Sequence, residues 1–291
     1  MRESLLSTVI RRRHDDRVRL IFGDWLTDHE DPWGEFIHHQ VELRFAERGS
    51  PSAAPLEETR LDKQALDELE LEIRRRHSPF VSGKVTSFTF GGGCVEELEL
   101  TVPQFLQHGE QLVGSLPIRR IRLTTDLEGW ERAMLHAAWG PIESLAVDGV
   151  WLGVDRIEQL VVSAEMKLLV DLRLTGAGVC HHGVELLADS PLAAILERLE
   201  IAGNRDVGDR GLVRLVTDPR LERLRRIGVR RCRVTDKSLR EISSHPSLSK
   251  ILYLDIRDNS VTVAALESLR RSPYWNKNTE LRVGARKLRA K

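Results

Sequence analysis

Leu196-Glu-Arg-Leu199-Glu-Ile201-Ala-Gly-Asn204 has the pattern L-x-x-L-x-L-x-x-N, and its relatives recur along the chain. The second leucine-type position falls at Leu145, Leu172, Leu199, Ile227, Leu254 and Leu281, in steps of 27, 27, 28, 27 and 27 residues. Such a period marks a solenoid of stacked strand-plus-helix units. Further columns keep the same phase. Leu152, Val179, Val207, Val234 and Val261 form one. Ile157, Val184, Leu212, Leu239 and Leu266 form the next, followed three residues later by Leu160, Leu187, Leu215, Ile242 and Leu269. Alternation in L-x-L is strand spacing, and a step of three is helical spacing. Each unit therefore reads as a short strand, a turn and a helix packed on its own strand. Leu98 and Ile121 begin two shorter units, with steps of 23 and 24 residues. The expected fold is an α/β horseshoe of about eight coils, with parallel strands on the concave side and helices on the convex side. A helical N-terminal domain precedes it.

The ninth position of the three most regular units holds Asn204, Cys232 and Asn259. A buried amide both donates and accepts, so it can satisfy backbone groups of its own turn and of the adjacent coil. Cys232 is a weaker donor in the same slot. All three read as interior braces of a structural ladder.

Lys plus Arg equals Asp plus Glu, at 44 each, among 291 residues. From Leu221 to Lys291, however, 18 basic residues face 7 acidic ones, a net of +11. That asymmetry points to a charged partner. Cys94, Cys180 and Cys232 are odd in number and form no C-x-x-C, as expected for a soluble protein of the reducing cytoplasm. No stretch approaches the ~20 apolar residues of a membrane span.

Residues 1–80 lack the repeat. Val18, Ile21, Phe22 and Trp25 suggest a helix over Asp15–Asp28. Asp31-Pro32 starts another, with Trp33, Phe36, Ile37 and Val41 on one face. Gly49–Pro55 is a breaker-rich loop, and a charged helix is expected from about Leu56 to Arg76. Residues 81–94 would cap and enter the solenoid of 95–285, and 286–291 form a basic tail.

Gly23-Asp24-Trp25-Leu26 followed by Asp31-Pro32-Trp33-Gly34-Glu35-Phe36-Ile37-His38-His39-Gln40 resembles the repeat-companion domain of bacterial leucine-rich-repeat proteins. Gly92-Gly93-Cys94-Val95-Glu96-Glu97-Leu98 is similar to the same family's R-G-F-V-E-E-like entry into the first repeat. Gly23 stands where the family usually has Ala, and the His38-His39 pair is a departure. The resemblance covers roughly residues 15–48 and 56–123. It implies a helical companion domain fused to repeats of ribonuclease-inhibitor type, and it implies no reaction.

Parallel strands lie about 4.8 Å apart, so equivalent outward positions form columns. One runs Glu97, Arg120, Ser144, Asp171, Arg198, Arg226, Tyr253, Glu280. A second runs Glu99, Arg122, Ala146, Arg173, Glu200, Gly228, Asp255, Arg282, and a third reaches Arg230 and Arg257. Facing opposite charges fit ladder pairs on a solvated sheet. They equally fit a recognition surface of the kind solenoids provide. Arg198, Glu200, Arg226, Arg230, Tyr253, Asp255, Arg257 and Arg282 are the candidate contacts, because Tyr and Arg dominate binding hot spots. Trp151, at a variable turn, is a further candidate. Trp130, Met134, Trp139 and Trp275 read as core.

His38-His39 and His181-His182 lack a third ligand at metal spacing, and no nucleophile–base–orienter set is evident. The sequence thus points to a non-catalytic module without cofactor or metal that binds a protein, acidic partners included, through its concave sheet. Nucleic-acid binding through Arg223–Arg233 and the tail residues Arg286, Lys287, Arg289 and Lys291 is the alternative. The scarcity of interleaved aromatics weighs against it.

Overall fold

The computed structural model describes residues 1–47 and 63–284. The chain forms two compact units, Met1–Ile121 and Arg122–Lys291. The first carries helices α1 (Arg2–Arg11), α2 (Asp16–Asp28), α3 (Trp33–Glu47) and α4 (Lys63–Val81). Strands β1 (Ser87–Gly91) and β2 (Cys94–Leu100), helix α5 (Val102–Ser115) and the start of β3 (Arg120–Leu123) follow. The second carries α6 (Trp130–Met134), β4 (Ser144–Val147), α7 (Gly153–Val161), β5 (Asp171–Arg173) and α8 (His181–Asp189). It continues with β6 (Arg198–Glu200), α9 (Gly208–Thr217), β7 (Arg226–Gly228), α10 (Asp236–Ser243), β8 (Tyr253–Asp255), α11 (Val263–Arg271) and β9 (Glu280–Arg282). The fold is an α/β leucine-rich-repeat solenoid preceded in the chain by α-helices.

Strands β4 to β9 are parallel, and the aliphatic rib is in strict register. Leu145 pairs with Leu172, Leu172 with Leu199, Leu199 with Ile227, Ile227 with Leu254, and Leu254 with Leu281. Each rib residue up to Leu254 is at most 2 % exposed. Burial of an aliphatic side chain is worth about 1.5–3 kcal/mol, so the rib and the helix columns behind it form the main cohesive term. Leu266 and Val261 are only half-buried, because α11 has a helical neighbour on one side only among the described residues. Trp139 is fully buried, but Trp275, expected in the core, is half-buried for the same reason.

The polar ladder explains why two amides and a thiol share one slot. Asn204 Oδ1 accepts from the Val179 N–H at 3.0 Å, and its Nδ2 donates to Leu174 O (2.7 Å) and Ile201 O (2.8 Å). Asn259 repeats the pattern on Cys232 N–H, Val234 N–H, Val229 O and Ile256 O. Between them, the Cys232 thiol donates only to Ile201 O (3.1 Å) and, more weakly, to Arg230 O. That suffices. The Val207 N–H is already bonded to Asn204 O, and Val229 O is covered by Asn259. Burial pushes the Cys232 thiol up to about 12.

In the N-terminal unit, β1 pairs antiparallel with β2, Phe88 opposite Leu98. Helix α2 is capped by Asp15, whose side chain accepts from the Arg17 N–H. Its buried face differs from the expected one: Ile21 is 55 % exposed, while Arg19 is fully buried beside Val18, Phe22 and Leu26. Arg19 is drawn inward by Glu96, also fully buried, at 2.6 Å, and it donates to the carbonyls of Gly91 and Arg13. Arg44 of α3 completes the cluster on Glu96 (2.7 Å) and Asp16 (3.0 Å). Close by, Trp33 Nε1 donates to Gly93 O at 2.7 Å, and a Cβ at Gly93, whose φ is +75°, would strike Ile37. Gly92-Gly93 and Glu96 thus dock the hairpin on α2 and α3. The loop Gly49–Pro55, the start of the third helix expected from Leu56 and the basic tail lie outside the described residues.

Candidate functional site

With the rib turned inward, the residues on either side of it on β5–β9 project from the strand face of the C-terminal unit. Along the first column the pairing runs Asp171 to Arg198, Arg198 to Arg226, Arg226 to Tyr253 and Tyr253 to Glu280. Arg198 Nε reaches Asp171 Oδ2 at 3.0 Å. The Arg226 guanidinium lies over the Tyr253 ring at 4.2 Å, and Arg282, from the strand on the other side, lies over it at 5.5 Å. Cation–π contacts of this kind contribute roughly 0.5–2 kcal/mol and hold the ring upright.

The second and third columns supply a floor. Gly228 has no side chain and Ala202 a short one, so a pit of about 480 Å³ opens among the long residues around them. It is lined by Asp171, Arg173, Arg198, Glu200, Arg226, Arg230, Tyr253, Asp255 and Arg257, with Thr175 and Leu199. A Cβ at Gly228 would collide with the Glu200 carboxylate, which is therefore laid across the floor because position 228 is glycine. Burial, opposed by the hydrogen bond from the Ala202 N–H and reinforced by the Asp255 charge, raises the Glu200 pKa above the usual carboxylate range.

Most candidate residues converge on this pit, but their roles separate. Asp255, expected as an exposed contact, is only 2 % exposed and is gripped by Arg257, Nε to Oδ1 at 2.9 Å. Arg257 is thereby anchored, and hydrogen bonding to Asp255 raises its pKa. Arg230 pairs with Asp258 at 2.8 Å, Arg173 with Asp148 at 3.5 Å, and Arg282 with Glu280 at 2.8 Å. Arg226 has no carboxylate partner among the described residues. Trp151 stands apart from the pit. It is 69 % exposed and its ring lies against Gly178 of the next coil, where a Cβ would come within 2.6 Å of it. The pit itself was not foreseen; its only sequence signal is Gly228, in a column otherwise dominated by long charged side chains.

The lining offers guanidiniums, carboxylates and hydroxyls but no His, Cys, Ser or Lys. His38 pairs with Asp24 at 3.0 Å and His182 with Glu185 at 3.3 Å. Among the described residues, no three His, Cys, Asp or Glu side chains form a metal-sized group. No described helix is long and apolar enough to cross a membrane.

No family model matches the chain, and no curated protein matches it in sequence. Among solved structures it is similar to an internalin from Listeria monocytogenes, at 12% identity over 64% of this chain and 53% of that one, with a TM-score of 0.35. It is also similar to a chain of the yeast Rad7 and Elc1 complex, at 12% identity over 67% of this chain and 72% of that one, with a TM-score of 0.27. The chain spans about half the length of the internalin it matches.

Proposed function

We propose that the protein is a non-catalytic recognition module that docks a segment of a partner protein on the strand face of its C-terminal unit. The observation that carries this reading is the Arg226–Tyr253–Arg282 stack at the rim of the pit. An aromatic ring held upright by two guanidiniums is a preorganised anchor, and Tyr and Arg supply most hot-spot energy. The lining favours binding over chemistry, because it holds ion-paired charges without a nucleophile and base in contact. Nucleic acid is the weaker candidate, since stacking of bases needs a free aromatic face and Tyr253 has a guanidinium on it from each neighbouring strand.

Residues 1–80 are assigned as a helical companion domain, 81–94 as the entry segment, 95–285 as the solenoid and 286–291 as a basic tail. The bacterial, ribonuclease-inhibitor-type companion assignment rests on the sequence resemblance alone; what the contacts of Gly93 and Glu96 with α2 and α3 support is an entry segment packed on the N-terminal helices. The free thiols, two of them buried, support a cytoplasmic setting.

A photo-crosslinking amino acid placed at Thr175 in the lining of the pit, and separately at Lys237 on helix α10, tests the docking reading. A discrete adduct from position 175 and none from 237 is expected. Equal labelling from both, or none from 175, would refute the choice of face.

A further inference from the structure

Arg198 and Arg226 stand directly opposite one another on adjacent strands, an arrangement that costs stability when nothing neutralises it. Arg198 is partly offset by Asp171, whereas Arg226 spends its flat face on Tyr253. Arg230 and Arg257 occupy equivalent places in adjacent coils, on the far side of the open floor above Gly228, each held by its own carboxylate, Asp258 and Asp255. Around that floor five guanidiniums face three carboxylates, of which Asp255 is turned into Arg257 and Glu200 is half-buried on the floor. Arg173 and Arg230 also draw on Asp148 and Asp258 beyond the lining, which leaves Arg226 as the guanidinium of the pit with no carboxylate partner among the described residues.

We infer that this pit receives a phosphate monoester borne by a side chain of the partner protein, its oxygens met by Arg198, Arg226 and Arg230. The inference rests on the docking reading above and names the group that is docked. A phosphate monoester brings about −1.5 to −2 charges and three acceptor oxygens, matching the unpartnered Arg226, the like charge of Arg198 opposite it and the convergence of several donors. Guanidinium forks fit phosphate oxygens in pairs, and Arg clusters are a recurring means of reading phosphorylated segments. A carboxylate would bring the Arg198–Arg226 pair a single charge and two oxygens.

Glu200 adds a signature. It is the one acid of the lining that no arginine grips, and it lies on the floor that the phosphate would approach. Removing its charge strengthens phosphate binding, whereas removing Arg226 weakens it. Damage to the fold would weaken binding in both variants, so opposite signs separate recognition from collapse.

The test is fluorescence anisotropy on the full chain. Short peptide pools carry a central phosphoserine, phosphothreonine or phosphotyrosine beside unmodified twins, with inorganic phosphate as competitor and oligouridylate as the nucleic-acid arm. One phosphorylated pool is expected to bind at least about tenfold tighter than its twin, the worth of a charge-assisted hydrogen bond. Phosphate should compete, Arg226→Ala should abolish the preference and Glu200→Gln should enlarge it. Equal binding of phosphorylated and unmodified pools, both weakened by Arg226→Ala, overturns the phosphate while leaving the docking face intact. Preferential, Arg226-dependent binding of oligouridylate overturns the protein partner. Absence of binding by every probe overturns the phosphate, and with no position-175 adduct either it overturns the docking reading as well.

Discussion

Replacing Asn204 by Ala isolates the energetic weight of the polar ladder, because Cys232 provides an internal control in the same slot. Asn204 is 3 % exposed, and its amide satisfies Val179 N–H, Leu174 O and Ile201 O. Ile201 O also accepts from the Cys232 thiol, so Ala at 204 orphans two buried groups, Val179 N–H and Leu174 O. An unsatisfied buried backbone group costs about 1–3 kcal/mol, which puts Asn204→Ala at about 2–6 kcal/mol. Cys232→Ala orphans nothing, since Ile201 O keeps the Asn204 amide at 2.8 Å. It loses only the packing of one sulfur, about 1 kcal/mol. Urea unfolding followed by circular dichroism gives the two values. Hydrogen exchange over residues 172–234 localises the loss, and with unequal units the exchange data guard against a false two-state fit. If Cys232→Ala costs as much as Asn204→Ala, the accounting of satisfied groups is wrong.

Glu96→Ala is expected to cost about 3–5 kcal/mol in the N-terminal unit, because it strands the fully buried Arg19 guanidinium, and Arg44, with Asp16 as their remaining acid in the cluster. Exchange protection over residues 16–44 and 94–100 should collapse, and protection retained there would contradict this. His77 lies edge-on against Trp33 at 4.7 Å, with Arg2, Asp31 and Arg76 as its charged neighbours, and burial holds its pKa below that of an ordinary imidazole. The unfolded chain therefore takes up a proton that the fold refuses, and stability falls as pH drops through about 6.5. His77→Gln should flatten that part of the stability–pH curve, and an unchanged slope would count against the buried neutral imidazole.

The solenoid was legible because its cause is local and repeated. The rib from Leu145 to Leu281 is in the register that the 27-residue period implies, and the Asn204 and Asn259 slot follows from the backbone groups a tight turn leaves over. Helix α2 shows where such reading stops. Spacing alone favoured Ile21 for burial, but the face is set by Glu96, distant in sequence, which takes Arg19 inside. The candidate columns were assigned to the right strands, yet their individual roles were hidden. Nothing in the sequence of β8 says that Asp255 is consumed by Arg257, or that the Glu200 side chain occupies the space Gly228 leaves. Those outcomes depend on side-chain lengths in three adjacent strands at once.

The thiol at position 232 has a use beyond bracing. Held almost wholly in its un-ionised form and sealed between two amide-capped turns, it is inert to alkylating reagents while its coil is shut. Each modification event is then a record of that coil breathing open, and Cys94, equally sealed in the other unit, keeps a separate record. Mass spectrometry of the two labelled peptides over time would report how often each half of the molecule loosens, with no probe engineered in.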